Sequence, residues 1–510
     1  MNQTFAQQEF LHIKENLPDC TFENPLCLTR RHFDVHRATE SMRTLLFWVS
    51  MTIAARHLKF SSSLSLLSQS ANTFRFRVFG THATNIHKHT TFLDKENSNS
   101  RSLVSTHRQR RTVISMTGVV HQDENDRVEN VPKVSARLVP STELEACGER
   151  LRQGGLVAFP TETVYGLGCN ALDTSAIIKV FEAKERPLTD PLISHVTDSQ
   201  VAFDMWAAET DSLEEKALRS LCDRFWPGPL TMVAKAAPEV PSILMANTGF
   251  CACRSPQYPI SIALINAAKV PIAAPSANKF GHVSPTRSSH VWHDLQHEDV
   301  WIVEEEKEEE SIKTSCCEVG VESSVAKIEM FDDSEKGKIT LLRQGAISLR
   351  DIEECLETTG LLEHFDVLAL TKKATNETVA NVAPGQTIRH YSPDVPSFIL
   401  SSALCKSATS PPSDSDKEFL SKSVLIDFGG KIEAWKDLAL AYRELSQAAD
   451  SAEATKGVFE TLRWAEKIQE ADYILFPEIL DDSSADALTL ALKDRLTRAA
   501  SGNVIDCLEM

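Results

Sequence analysis

The sequence of 510 residues contains no G-x-x-x-x-G-K-[ST] loop and no G-x-G-x-x-G fingerprint. If the chain binds a nucleotide, it uses neither of the two common glycine-rich phosphate devices. None of its 12 cysteines forms a C-x-x-C pair. Cys251-x-Cys253 and the adjacent Cys316-Cys317 lack zinc-knuckle spacing, and without a secretory signal the thiols are expected to be reduced. The longest apolar stretch near the start, TLLFWVSMTIAA at 44–55, falls short of the roughly 20 residues a membrane span requires. It also lies late for a signal peptide. Cations are in the minority, with 53 Lys+Arg against 71 Asp+Glu and a net charge of −18.

That charge is unevenly placed. Residues 1–115 carry 15 Lys+Arg against 8 Asp+Glu, while the remaining 395 carry 38 against 63. The acidic body argues against tight nonspecific nucleic-acid binding, which needs many cations on phosphates. The basic, Ser- and His-rich start, ending in RSLVSTHRQRRTVISM, has the composition of an organelle transit segment, although residues 1–40 are more acidic than such peptides usually are. A disordered tail is the plainer reading. Met116, directly after the basic run, is a candidate second start that would give a cytosolic form.

From about Ala136 the pattern becomes dense α/β. STELEACGERLRQGG reads as a helix with Thr142 as N-cap and Glu145 completing a capping box, ended by Gly154-Gly155. LVAF is a short apolar strand, DTSAIIKVFEAKERP a helix stopped by Pro187, and PLISHV a strand. SLEEKALRSLCDRFWPGP is a helix, LTMVAKA a strand, ISIALINAA a buried helix and PIAAPSAN a strand. VEEEKEEESIKTSCCEV at 303–319 reads as a solvated, charged insertion. The first domain resumes at GVESSVAKI and closes near ITLLRQGAIS. A linker-like region follows at 366–397. A second unit starts near Ser397: SVLIDFG and ADYILFPEI read as strands, AWKDLALAYRELSQAADS and FETLRWAEKI as helical, and SADALTLALKDRLTRAAS as a final amphipathic helix. Alternating strands and helices imply a small, mostly parallel α/β domain.

Three polar clusters flank strand ends: Thr161, Thr163 and Tyr165; Lys184, Arg186 and His195; and Ser276, Asn278 and Ser284. Arg254, Ser323, Ser324 and Arg343 stand alone. Each has a bland reading as turn, helix-end cation or core residue. Their order is more informative. FPTETVYGLGCNALD, FEAKERPLTDPLISHV, RFWPGPLTMV, PIAAPSANKFGHVSPT, GVESSVAKI and LLRQGAI follow one another as motifs, and the chain resembles the YrdC-like family of threonylcarbamoyl-AMP synthases. APGQTIRHYSPDVP resembles the linker of that family's longer, two-domain branch.

The resemblance implies an α/β fold, with a twisted-sheet YrdC-like domain bearing a concave active site and a smaller Rossmann-like C-terminal domain. The corresponding segments are a variable extension at 1–135, a catalytic domain at 136–360, a linker or lid at 361–396 and a C-terminal domain at 397–510. It implies formation of L-threonylcarbamoyladenylate and pyrophosphate from L-threonine, bicarbonate or CO2, and ATP with Mg²⁺, for N6-threonylcarbamoyladenosine modification of tRNA. Thr163, His195, Arg254 and Ser323 would meet threonine, with Thr161 and Tyr165 shaping the same wall. Lys184 and Arg186 would be the catalytic cations on the phosphates. Asp190, Ala274, Ser276, Asn278, Ser284, Arg343, Arg389 and Tyr391 would complete the nucleotide site, the last two as part of a lid.

The product would pass to a tRNA threonylcarbamoyl transferase complex, with tRNA contact weak or indirect and no membrane involved. The implied compartment is the cytoplasm, with a mitochondrial or other organelle form depending on the extension. Four features depart from the family pattern: Asp190 replaces the usual Asn, Ser324 replaces a Thr, the Glu-rich stretch replaces a Gly turn, and PGQTIRHY keeps Arg-His-Tyr but differs before it. The same fold as an RNA-binding module is the rival reading, and it would need a basic concave face. A carbamoyl-adenylate enzyme of hydrogenase maturation is a second rival, but it would need C-x-x-C pairs.

Overall fold

Gly154, in the left-handed region at φ +75°, releases the chain from the Leu144–Arg152 helix into a run of apolar residues. That alternation of amphipathic helix, glycine and buried strand builds most of the molecule. The structure is a computed structural model describing residues 135–304, 317–331, 335–370, 381, 390–408, 410–480 and 485–508. The extension before 135, Met116, most of the Glu-rich stretch, much of the linker and Arg389 lie outside the described residues.

Eleven strands form a mixed sheet: β1 (Arg137–Pro140), β2 (Leu156–Phe159), β3 (Gly166–Asn170), β4 (Ile193–His195), β5 (Leu230–Lys235), β6 (Phe250–Arg254), β7 (Ile272–Ala273), β8 (Val300–Glu304), β9 (Ser324–Met330), β10 (Gly337–Arg343) and β11 (Phe365–Ala369). Their order is β1-β8-β2-β3-β7-β4-β6-β5-β9-β10-β11. A second sheet of β12 (Ser397–Leu400), β13 (Ser423–Asp427), β14 (Ala441–Glu444), β15 (Tyr473–Pro477) and β16 (Val504–Ile505) has the order β14-β13-β15-β12-β16. Every neighbouring pair in it is parallel. Strands buried on both faces explain runs such as LVAF and VLID, where all side chains are covered. Each buried Val, Leu, Ile or Phe contributes roughly 1.5–3 kcal/mol.

Several local expectations are corrected. The chain enters its first helix through a 3₁₀ turn at Ser141–Glu143, and no side chain caps it, so the Thr142 capping box is not formed. LVAF leads into an antiparallel hairpin rather than a helix, with Phe159 opposite Gly166 and Val157 opposite Gly168. The strand β3 was hidden by its glycines. A Cβ on Gly168 would lie 2.8 Å from Ile272 and 2.9 Å from Phe159, so close packing requires the missing side chain. PIAAPSAN contributes only the two residues of β7. AYRE, expected to be helical, is the edge strand β14. β11 falls inside the expected linker yet pairs in parallel with β10, so the first sheet extends past residue 360. Val303 and Glu304, expected in the charged insertion, end β8.

The two sheets belong to one compact unit. Val164, Val283, Val321 and Tyr391 share an apolar cluster with Val458, Phe459 and Leu462 of the Ser451–Ala465 helix. No described helix is long and apolar enough to cross a membrane. Cys251 and Cys253 Sγ are 3.8 Å apart and remain free thiols.

Candidate active site

The six residues linking β2 to β3 are all buried, which is unusual for a hairpin loop. Their polar groups are therefore satisfied internally. Thr161 Oγ1 donates to Val164 O at 2.7 Å and accepts from the Thr163 and Val164 amides at 3.1 and 3.2 Å. That turn aims Thr163 Oγ1 outward to accept from Arg254 Nη1 at 2.9 Å. The other Nη of Arg254 pairs with Glu162, and its Nε donates to Gly228 O at 3.2 Å. Arg254 ends β6 and His195 ends its parallel neighbour β4, so the sheet register places them side by side. Burial, then the charge of Arg254, pulls the His195 imidazole down to about 3 and keeps it neutral. No described group hydrogen-bonds its Nδ1.

The opposite wall is cationic. Lys184 closes the Thr174–Lys184 helix, and its ammonium donates to Ser276 O at 2.6 Å and to Asn278 O. Burial holds it well below the usual lysine range, and Arg186 adds to the shift. Arg186 donates to Asp190 O at 3.0 Å and Pro191 O at 2.9 Å, and it pairs with the Asp190 carboxylate at 2.9 Å. Asp190 is thus the partner of the expected phosphate-binding arginine.

On the third side, Ser276 Oγ donates to Asn278 Oδ1 at 2.5 Å, and the Asn278 amide ties Lys279 O and His282 O at 2.7 and 2.8 Å. Ser284 Oγ donates to Glu322 at 2.5 Å. Arg343 donates to Ser323 O and Oγ at 2.9 and 3.0 Å. Ser323 Oγ also shares a 2.7 Å hydrogen bond with Thr231.

These groups enclose a cavity of about 50 Å³ lined by Thr161, Thr163, Arg186, His195, Arg254, Ala274, Ser276, Ser323 and Arg343, together with His390 and Tyr391. Lys184, Asp190, Asn278 and Ser284 stand behind the wall and hold it. Tyr165 does not line the cavity. Its ring is core and its hydroxyl donates to Val303 O at 3.3 Å, which corrects its expected place in the wall. Glu162, Glu322 and His390 join the site without a sequence motif that marks them as ligand groups. For Glu162 the available signal was a carboxylate inside an otherwise hydroxyl-bearing turn. Tyr391 adopts φ +61° and is fully buried against His390, Phe459 and Arg495. Burial pushes its phenol up to about 12.

Ligand sites are commonly 300–1,000 Å³. The cavity, about 50 Å³, is smaller than that range.

Three comparisons bear on this geometry. A family model described as "Telomere recombination" matches residues 149–345, and one described as "Threonylcarbamoyl-AMP synthase, C-terminal domain" matches 347–501. The chain is 32% identical over 357 residues to threonylcarbamoyl-AMP synthase of Bacillus subtilis, covering 70% of this chain and 92% of that one. It is 30% identical over 372 residues to the same-named protein of Schizosaccharomyces pombe, covering 68% and 85%. The fold is similar to the crystal structure of Pyrococcus abyssi Sua5 complexed with L-threonine, with a TM-score of 0.58 and 28% identity over 73% of this chain and 99% of that chain.

Proposed function

Because this chain belongs to the threonylcarbamoyl-AMP synthase family in its two-domain form, we propose that it forms L-threonylcarbamoyladenylate from L-threonine, bicarbonate and ATP. The observation that carries the reading is the convergence of Thr163, Arg186, His195, Arg254, Ser276, Ser323 and Arg343 on one cavity. Among the described residues that line it, none is arranged as a protein nucleophile with an adjacent base, which suits a reaction between bound substrates.

The chemistry is an adenylyl transfer. Bicarbonate takes up a proton and loses water to give CO2, and the threonine amine adds to its carbon, losing a proton and leaving a carbamate. A carbamate oxygen attacks the α-phosphorus, the bond to the bridging oxygen breaks, and pyrophosphate departs with that electron pair. Thr163, Ser323 and the neutral His195 supply hydrogen-bonding groups to threonine. Arg254 faces its carboxylate. Arg186, Arg343 and the Lys184-braced Ser276 loop surround the phosphates, where fixed cations stabilise charge developing as pyrophosphate leaves. Positioning and exclusion of water supply the remainder.

Among the described residues no group of three His, Cys, Asp or Glu side chains could hold a metal. Glu162, Asp190 and Glu322 are each paired with an arginine. This donor set fits Mg²⁺ carried on triphosphate oxygens, which usually needs few protein ligands, and there it would neutralise phosphate charge. Asp190 supports Arg186 through their ion pair. The anhydride product would be handed to a tRNA threonylcarbamoyl transferase complex in the cytoplasm. Pyrophosphate release by the full chain with Mg·ATP, omitting threonine and bicarbonate in turn, tests the proposal. Release independent of either substrate would sink it.

A further inference from the structure

The Ala487–Ala499 helix belongs to the second sheet's domain, yet three of its charged residues, Asp494, Arg495 and Arg498, are buried. An amphipathic surface helix would expose them. Arg495 is 0% exposed and reaches across to the first domain. Its Nε pairs with Glu322 Oε2 at 3.0 Å, and Nη2 donates to Glu322 O at 3.2 Å. Nη1 donates to Gln344 O at 2.8 Å and pairs with Asp494 at 3.0 Å. The guanidinium carbon also lies 5.3 Å from the centre of the Tyr391 ring.

The positions of these partners give the contacts their meaning. Glu322 precedes Ser323 and Gln344 follows Arg343, and Ser323 and Arg343 both line the cavity. One side chain therefore braces the two segments that present them. Glu322 itself lines the cavity, and its second oxygen accepts from Ser284 at 2.5 Å. Without Arg495, Glu322 would be a buried carboxylate facing a site for anions, lacking the cation that offsets its charge. Such an uncompensated charge is strongly unfavourable. The planar fork suits this duty better than a lysine ammonium, because one group must meet two carboxylates and two carbonyls in fixed directions.

We propose that Arg495, supplied by the C-terminal domain, is a positioning residue of the active site that neutralises Glu322, sets Ser284, Arg343 and Tyr391 for nucleotide binding and holds Ser323 on the threonine side. The inference rests on the synthase reading for its nucleotide. It goes beyond that reading by making the second domain a contributor to the site rather than an appendage.

The test uses the full chain and four variants. Arg495→Met removes the charge, and Arg495→Lys keeps the charge but loses the fork. Arg495→Met combined with Glu322→Gln removes the stranded carboxylate. Glu460→Gln cuts contacts to Arg287 and His290 at the same domain interface, away from the cavity. Steady-state pyrophosphate release and calorimetric binding of a non-hydrolysable ATP analogue are measured for each.

Displacement of positioned groups by about 1 Å can cost roughly 100-fold in rate. Arg495→Met is therefore expected to weaken analogue binding and raise the ATP KM by roughly 10- to 100-fold. Arg495→Lys should fall in between, and Glu460→Gln should stay within about twofold of wild type. Adding Glu322→Gln to Arg495→Met should recover at least about threefold in analogue affinity, as expected for residues coupled in one network. A purely structural role predicts equal losses for Arg495→Met and Glu460→Gln with no recovery, and that pattern overturns the proposal. Wild-type affinity in Arg495→Met overturns it equally. If Arg495→Met does not fold, Arg495→Lys decides, and an unchanged ATP KM counts against the proposal. A wild-type chain that binds the analogue but releases no pyrophosphate defeats the synthase reading while the binding comparison still judges Arg495. A wild-type chain that binds no analogue defeats both.

Discussion

Arg254 and Thr163 lie 91 residues apart in sequence and meet at 2.9 Å, Nη1 to Oγ1, inside the first domain. The same guanidinium pairs with Glu162. Both ionic partners are almost wholly buried, so removing one strands the other. Arg254→Met is expected to destabilise the chain by about 3–5 kcal/mol and to abolish measurable threonine-dependent turnover. Chemical denaturation and pyrophosphate release would check the two effects. A folded variant of wild-type stability would show that Glu162 finds another partner.

Arg186 carries the second prediction. Its guanidinium lines the cavity and is held by Asp190 and two carbonyls. Arg186→Ala should lower kcat by roughly 10²–10³, the usual cost of losing a preorganised group that stabilises transition-state charge. Asp190→Asn, which keeps a polar group beside the arginine, should lose much less, by about tenfold at most. If Asp190→Asn were the more damaging change, Asp190 would have a direct role that its pairing with Arg186 does not explain.

The Tyr391 hydroxyl is buried and has no hydrogen-bond partner among the described residues. Leaving such a group unsatisfied costs about 1–3 kcal/mol. Tyr391→Phe should therefore hold or raise the thermal midpoint while keeping the ring against Phe459 and Arg495. Tyr391→Ala removes the ring from the cavity lining and should lower the midpoint. A lower midpoint for Tyr391→Phe would mean that the hydroxyl contributes a stabilising contact.

The legibility of the molecule divides along physical lines. Local signals worked where one segment suffices. DTSAIIKVFEAK and SLEEKALRSLCDRF form the helices their apolar spacing predicts, and the VLID and ILFP runs are buried strands. The motif order also marked Thr163, His195, Arg254, Ser276, Ser323 and Arg343, which line one cavity. Glycine concealed β3, because GLGCN has little β propensity and the strand exists only through its neighbours. AYRE was read with the helical residues before it, since an edge strand of four residues has too few positions to establish a period. Tyr165 looked like a site group because its hydroxyl's partner, Val303, lies 138 residues away. The roles of Glu322 and Arg495 depend on a contact 173 residues apart, which no local pattern encodes.

A fourth prediction concerns the domain interface and pH. Asp294 in the first domain pairs with Arg463 at 2.8 Å and with His282 at 3.0 Å, and His282 also meets Glu466 at 3.0 Å. Burial pulls His282 down, but its bonds to Asp294 and Glu466 outweigh it and push the imidazole up to about 9. A raised folded value means that the stabilisation is complete below the unfolded value near 6.5 and is lost as pH rises through about 9. Stability should therefore fall by roughly 1–3 kcal/mol across that window, and His282→Gln should flatten the decline. Equal slopes in wild type and variant would show that His282 is not held as a cation.

The most direct test of the central claim uses ¹³C-labelled bicarbonate with threonine and Mg·ATP, followed by mass spectrometry of the rapidly quenched products. The synthase reading requires one labelled carbon in a threonine–AMP conjugate, formed in step with pyrophosphate and absent when any substrate is left out. Nucleotide turnover without labelled conjugate would contradict it.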